Sequence, residues 1–204
     1  GFQMFNGGTL NVSGGEIDWS IRGIELVNAF LNVTGGKLPS VTGVDSAIDF
    51  SGGSASVVNV MSGTGSFQGG TLVHLHNEDT STISGGNFGR VTNKGTLTTT
   101  GGTFRQFQHA GGVHQIFGGG FVVNGLAVDG LSFAGDSIRV SGEGLRSLTG
   151  RLADGTPFGF TELRSDEFSD EAIIELVLAD LPPLQLGPIL LTADAPIPNA
   201  VHAN

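Results

Sequence analysis

The amino-acid sequence has no cysteine, few lysines and no long apolar run. The absence of cysteine excludes disulfide bonds and thiolate metal sites. Without a run of 18 apolar residues, no transmembrane helix is predicted. Lysine occurs only at Lys37 and Lys94, and no basic stripe suited to nucleic acid is present. We therefore expect neither a membrane span nor a nucleic-acid partner.

The composition is that of a folded β protein with an acidic second half. Glycine accounts for 35 of 204 residues without a collagen period, and hydrophobic residues reach 38%. The net charge is −10: residues 1–120 hold seven acidic and five basic residues, and residues 121–204 hold twelve and four. Scarce lysine with abundant Gly, Ser, Thr and Asn favours a secreted bacterial protein.

A Gly-Gly pair recurs along the first 120 residues. Successive pairs are separated by 21, 17, 17, 16, 16 and 17 residues. Regular spacing of this kind indicates one short structural unit stacked many times. The pairs begin at Gly14, Gly35, Gly52, Gly69, Gly85, Gly101 and Gly118.

Apolar residues recur at fixed positions relative to each pair. The third and sixth residues after the first glycine, and the second and fourth before it, are mainly apolar, with polar residues between. This alternation predicts short strands with one buried face. His114 falls in one of these columns, which predicts a hydrogen-bonded core histidine. The sixth position holds Val41, Val58, Leu75, Val91 and Phe107.

A repeat of 16 or 17 residues is too short for a helix, a strand and their turns. We predict an all-β chain: a short-rung parallel β-solenoid (β-helix) of about seven coils stacked ~4.8 Å apart, then a small, mainly antiparallel β cap. Each pair should form a corner, because glycine reaches positive φ without steric cost. Gly8, Gly95 and Gly111 should mark a second corner. The long first interval predicts a four-residue loop within residues 18–28, which include Trp19.

The Gly-pair rhythm stops near residue 120. We predict a solenoid over residues 1–120, a β cap module over 121–180 and a proline-rich strap or linker over 181–204. Within the cap, Asp154-Gly155 should form the turn of a hairpin, with Pro157 at an edge position.

Two further features belong to the cap region. Residues 172–178 are a strand candidate, and 126–133 and 137–140 are weaker ones. Residues 166–175 carry five acidic residues and no basic one. We interpret them as a solvated loop, with a calcium-binding loop as the alternative.

The coils resemble those of bacterial surface and secreted β-helix proteins of the adhesin and autotransporter-passenger kind. Residues 121–131 (FVVNGLAVDGL) and 148–158 (LTGRLADGTPF) are similar to a module that follows such coils in very large secreted repeat proteins. The resemblance implies an extracellular or cell-surface solenoid with a β cap and supplies no catalytic residues. Because Gly1 is not a natural start, we expect a piece of a longer protein that opens in mid-coil.

One candidate ligand site surrounds two histidines. His74 and His76 should face outward on one strand, where Glu78 and Asp79 would add oxygen ligands to a shared metal, and His109 lies two coils away. No third nitrogen ligand follows from the spacing. We therefore favour a polar surface and predict no metal and no cofactor.

Arg90 and Arg105 are predicted on the same side of their coils as His74. Polysaccharide lyases often use parallel β-helices in which such bases lie beside acidic groups. Acidic partners are sparse here, and short coils leave little chain for the walls of a cleft. A lyase is therefore the alternative to a non-enzymatic protein. The acidic residues between 35 and 84 are Asp45, Asp49, Glu78 and Asp79.

Threonines define a second candidate surface. Thr80 and Thr82 should stack on Thr96 and Thr98 in flat, outward ladders, an arrangement seen in ice-binding β-solenoids. Threonine is also common on exposed strands. The ladders are interrupted by Phe30, Asn32, Ala47 and Asp49.

The sequence thus predicts a non-enzymatic structural or adhesive rod without catalytic residues. Its outward Ser, Thr, Asn and Gln columns suit glycans, and its open first coil would allow end-to-end self-association. The alternatives are a polysaccharide-binding or lyase-like β-helix and an ice-binding solenoid.

Overall fold

The computed structural model describes residues 2–5, 7–17, 23–160, 169 and 171–182. Within these residues the chain is all β, and no helix has the length and apolar character needed to span a bilayer. The strands are β1 (Phe2–Phe5), β2 (Thr9–Glu16), β3 (Ile24–Val27), β4 (Phe30–Val44), β5 (Ser46–Phe50), β6 (Ser54–Val60), β7 (Gly63–Phe67), β8 (Thr71–Asn77), β9 (Thr80–Ile83), β10 (Asn87–Asn93), β11 (Thr96–Thr99), β12 (Thr103–His109), β13 (Val113–Val123), β14 (Leu126–Ala127), β15 (Ser137–Ser141), β16 (Leu148–Leu152), β17 (Pro157–Phe160) and β18 (Ile173–Leu178).

The predicted parallel β-solenoid is confirmed, with about six turns and a few antiparallel strands at its end. Within the solenoid, each strand pairs in parallel with its counterpart one coil away, so equivalent residues stack in columns. One buried column passes through all six turns and forms the centre of the core. Its members are Ile24, Val41, Val58, Leu75, Val91 and Phe107.

Each coil presents distinct outer faces. The longer strand of a coil bends where two successive side chains, such as Val73 and His74, point outward between buried neighbours. We call the outward side of residues 40–43, 57–60, 74–77, 90–93 and 106–109 the histidine face. Strands β5, β7, β9 and β11 stack in register in successive coils. We call their shared outward side, together with that of the strands that pair with the two ends of this stack, the threonine face.

The Gly pairs form one corner of the coil, as predicted. The second glycine of each pair from Gly14 to Gly101 has a positive φ, for example 81° at Gly70. The first approaches the previous coil closely: a Cβ on Gly69 would lie 2.5 Å from the carbonyl oxygen of Ser51. Gly118 is different, because the second glycine of its pair, Gly119, lacks the positive φ and both residues pair in antiparallel orientation with β16.

The second corner explains why some coils have 16 residues and others 17. At this corner a short link joins the last inward residue of the longer strand to the first outward residue of the next strand. In two coils this link has two residues. These links are 78–79 and 94–95; elsewhere it has three residues, at 27–29, 44–46, 61–63 and 110–112. Three-residue links contain a backbone position with positive φ, at Asn28, Asp45, Gly63 and Gly112.

The two-residue links depend on interior asparagines. Asn77 and Asn93 fill the inward position, fully buried, and each side-chain amide donates to the carbonyl two residues ahead at 3.1 Å. Asn77 Nδ2 also lies 2.7 Å from Asn93 Oδ1, and Ser81 Oγ donates to Asn77 Oδ1 at 2.7 Å. Each amide thus adds a second hydrogen bond to a corner carbonyl that already accepts one from the backbone, and its own buried polar atoms are satisfied in return.

The solenoid end is closed by the terminal strands. The predicted hairpin is present as β16 and β17, with Pro157 in the edge strand, and residues 173–178 form β18. Phe160 packs on Phe107 with ring centroids 5.3 Å apart, and the Asp154 amide donates to Thr100 O at 3.0 Å. β18 adds in parallel to β13, and β15 then covers β18 in antiparallel orientation.

The boundaries at residues 120 and 180 stay predictions, and β13 runs across residue 120. Parts of three predicted segments lie outside the described residues: Trp19 with the rest of 18–22, residues 166–168 and 170 of the acidic segment, and 183–204 of the proline-rich strap. The pairs Glu16 with Lys37 and Ile24 with Val41 leave four extra residues in the first coil, as its long interval predicts.

Replacement of Asn77 tests the role of the interior amides. Asn77→Val keeps a residue type that Val60 places in the same column, but it removes the partner of the Ser81 hydroxyl and of Asn93 Oδ1 and one of the two hydrogen bonds to the corner carbonyl ahead of it. We expect a loss of roughly 2–4 kcal/mol in the free energy of unfolding, measured by chemical denaturation. The matched control Asn59→Val, on the outer surface, should cost less than about 1 kcal/mol; equal losses would contradict the argument.

Candidate functional site

The two candidate histidines lie side by side on the histidine face. Their ring centroids are 6.2 Å apart, and both side chains are half-buried. His74 stacks in register with Arg90 of the next coil, as predicted, and His76 with Thr92. The face therefore carries two adjacent columns of polar and basic groups.

Hydrogen bonds connect these columns across coils. His74 Nε2 lies 3.3 Å from Thr92 Oγ1, and Arg90 Nη2 donates to Gln108 Oε1 at 2.6 Å. Burial and the positive charge of Arg90 lower the pKa of His74. His74 is therefore a neutral hydrogen-bonding group at neutral pH rather than a cation.

The carboxylates expected beside the histidines have other partners. Glu78 accepts from Lys94 Nζ at 2.9 Å, a hydrogen bond that lowers the pKa of Glu78, and His76 Nε2 lies 3.5 Å away. Asp79 Oδ2 accepts from the Gly63 amide at 2.7 Å and so holds a corner. In the described part of the chain, no group of three or more His, Asp or Glu side chains is placed to hold a metal.

Arg105 lies one position earlier than Arg90 in its coil, at the bend. There the missing side chain of Gly89 leaves an open depression of about 460 Å³ between Val73 and Arg105, also lined by Arg90 and Gln106. Among the described residues its lining contains two guanidinium groups and neither a carboxylate nor His74. The charge of this lining is suited to an anionic group.

The threonine face has the ladders that the spacing predicts. Thr80 pairs with Thr96 and Thr82 with Thr98, and Thr64 and Ser66 continue the two columns into the previous coil. The predicted interruptions are also present: Phe30 pairs with Ala47 in the first column, and Asn32 with Asp49 in the second. The unbroken hydroxyl array therefore spans three coils. Phe30 is 52% exposed within its column.

Two other histidines lie inside the solenoid near its closed end. His114 is buried and lies 2.8 Å from Thr99 Oγ1, as predicted for a core histidine. His109 lies two coils away from His74 and His76, as the spacing indicates, but it is fully buried in the column of Asn77 and Asn93 and does not share their outer face. The sequence contains a signal for this burial. His109 lies two residues after the core residue Phe107, and strand alternation places such a residue on the inner face.

The buried histidines form an aromatic cluster with Phe107. The His114 ring stacks on Phe107 with centroids 4.6 Å apart, and the His109 ring lies 5.8 Å from that of His114. Burial lowers the pKa of His109 to about 4, against the opposing effect of backbone carbonyls including that of Ile173. Burial and the neighbouring His109 also lower the pKa of His114. Both rings are neutral at pH 7.

Comparisons with protein-family models, with curated proteins and with solved structures find no match to this chain.

The buried histidines predict a loss of stability in mild acid. A group with a folded pKa below its unfolded value binds protons preferentially in the unfolded chain, so its contribution is complete above about pH 6.5 and falls towards pH 4. For His109 alone we expect the free energy of unfolding to fall by about 2 kcal/mol between pH 7 and 5, measured by denaturant titration.

The matched variants separate this effect from general acid sensitivity. His109→Leu should reduce the slope of stability against pH and leave the part that His114 contributes, whatever its effect on absolute stability, whereas His74→Gln, on the half-exposed outer face, should change the slope less. An unchanged slope in His109→Leu would show that His109 does not titrate between the folded and unfolded states as proposed.

Proposed function

We propose that this chain is a non-enzymatic structural and adhesive segment of a large extracellular bacterial repeat protein. The observation that carries the proposal is the stack of in-register coils, in which each outer position repeats as a straight column. Such a stack is a stiff element, because successive coils are joined by continuous backbone hydrogen bonds and a shared core.

The outer columns support an adhesive role. Asn59 donates to Thr42, Asn32 to Asn11 and Thr98 to Gln115, so polar side chains bond along the columns and keep further donor and acceptor capacity towards solvent. Flat arrays of hydroxyl and amide groups match the hydroxyl-rich surface of glycans. Scarce lysine and the resemblance of the Gly-pair coils favour an extracellular, bacterial setting.

A lyase-like function has weaker support. The depression contains Arg90 and Arg105, but the carboxylates nearest in sequence, Glu78 and Asp79, are bound to Lys94 and to a corner amide. A binding surface needs only the basic groups, whereas bond cleavage needs a base and a way to stabilise the developing charge.

Polysaccharide binding and cleavage assays test the proposal together. We expect the chain to be retained by immobilised glycans and to release no new reducing ends or unsaturated products from them during long incubation. Cleavage would establish an enzyme instead. Failure to bind any member of a broad array of neutral and acidic glycans would remove the adhesive role.

The three-coil hydroxyl array favours ice binding as the second candidate. Thr80, Thr82, Thr96 and Thr98 form a regular two-column lattice with a spacing of ~4.8 Å along the stack. If this lattice binds ice, the wild-type chain should show thermal hysteresis, and Thr82→Tyr with Thr98→Tyr should abolish it by placing bulky rings on the flat surface.

Thr103→Tyr is the matched control for the ice-binding test, because Thr103 is exposed on a different strand of the coil. It should leave hysteresis unchanged. Absence of hysteresis in the wild type, or its survival in the double variant, would eliminate this candidate.

A further inference from the structure

The depression on the bend of the coils combines two arginines with a missing side chain. Gly89 lies between Val73 of the previous coil and Arg105 of the next, and Arg90 and Gln106 complete the lining. A Cβ on Gly89 would lie 2.6 Å from the carbonyl oxygen of Val73, so the local backbone packing itself requires glycine. The concavity is therefore built into the stacking of the coils.

The two arginines differ in how firmly they are held. Arg90 is half-buried and is oriented by its 2.6 Å bond from Nη2 to Gln108 Oε1, while its Nε is buried without a hydrogen-bond partner. Arg105 is exposed and makes no hydrogen bond or ion pair with any residue that the structure describes. One guanidinium is thus fixed and the other is free to close on a ligand.

The surrounding charge favours an anion at this place. The chain as a whole carries a net charge of −10, yet none of the described carboxylates lines the depression. The two acidic residues before Arg90 on the preceding coil are both engaged: Glu78 pairs with Lys94, and Asp79 accepts from the Gly63 amide. A guanidinium presents a planar fork of donors that matches a carboxylate or sulfate group and holds it through two parallel hydrogen bonds.

We propose that the depression formed by Val73, Gly89, Arg90, Arg105 and Gln106 binds a carboxylate or sulfate group of an acidic polysaccharide. The assignment rests on the proposed adhesive function and names its ligand class. The depression is open and shallow, which suits one charged group on an extended chain rather than an enclosed small molecule.

Neutral groups beside the depression fit the rest of such a polymer. The histidine face continues from Arg90 into Gln108 and the neutral His74, which are half-buried and can exchange hydrogen bonds with sugar hydroxyls, while the buried Thr92 hydroxyl holds both of them in place. The lining includes one exposed apolar residue, Val73, which is too little for the apolar centre of a protein–protein interface. The chemistry of the face is therefore that of a glycan-binding surface with one anionic subsite.

Binding measurements on the whole chain test the site. Polygalacturonate and dextran sulfate serve as acidic probes and uncharged dextran as the neutral one, with affinities from calorimetry at two salt concentrations. We expect both acidic polymers to bind more tightly than dextran, with affinity falling as salt rises. Arg105→Gln should weaken acidic binding roughly tenfold, the effect of losing one charge-assisted contact, and Arg90→Gln at least as much.

The control variant is Arg146→Gln, which removes the same charge from an exposed position in the terminal region. It should change affinity less than about twofold, since it acts only through long-range charge. An equal loss in Arg146→Gln and Arg105→Gln would overturn the site in favour of non-specific attraction. Arg105→Lys should recover only part of the affinity, because a lysine cannot form the two-pronged contact.

Two further probes decide the ligand source. Inorganic sulfate and poly-glutamate should each bind at least tenfold more weakly than the acidic polysaccharides; equal or tighter binding of either would overturn the polysaccharide assignment. Retained glycan binding in Arg105→Gln would remove this site and leave the adhesive function standing. Absence of all glycan binding in the wild type would remove both. Circular dichroism should show the same β content in every variant compared.

Discussion

The backbone hydrogen bonds between successive coils are the constraint on which the rest of this structure depends. They hold neighbouring coils at the spacing of paired strands and place equivalent residues directly above one another. The side chain at one position therefore constrains the side chains at the same position of the neighbouring coils. Leu75 requires an apolar neighbour, and Thr80 presents its hydroxyl beside that of Thr96. The same closeness makes glycine necessary at Gly69, where any side chain would strike the previous coil.

The solenoid interior changes character along its axis. Its first coils are filled by aliphatic side chains, its middle carries the hydrogen-bonded Asn77 and Asn93, and its closed end holds two buried histidines against Phe107. The polar interior groups satisfy the corners, and the aromatic ones fill the space that the terminal hairpin covers. Stability is thus distributed unevenly, with the acid-sensitive part at the end that the cap closes.

Much of the fold could be predicted because the period of the sequence equals the period of the structure. Spacing alone located the glycine corners, the core column and the in-register threonines. It did not reveal that the Gly118 pair departs from the corner geometry, since that depends on antiparallel pairing with β16 far along the chain. It also missed the depression at Gly89, because an absent side chain is visible as a cavity only when its neighbours across two coils are in place.

The two forms of the second corner show that the number of residues in a coil depends on the residue type at one interior position. A coil with Asn77 or Asn93 closes with two linking residues, whereas a coil with Val60 in the same column needs three and a left-handed backbone at Gly63. A coil can therefore lose one linking residue and keep its place in the stack when the inward side chain at this corner changes to asparagine. During the duplication and divergence of repeats, deletions and point substitutions at this corner should arise as coupled events.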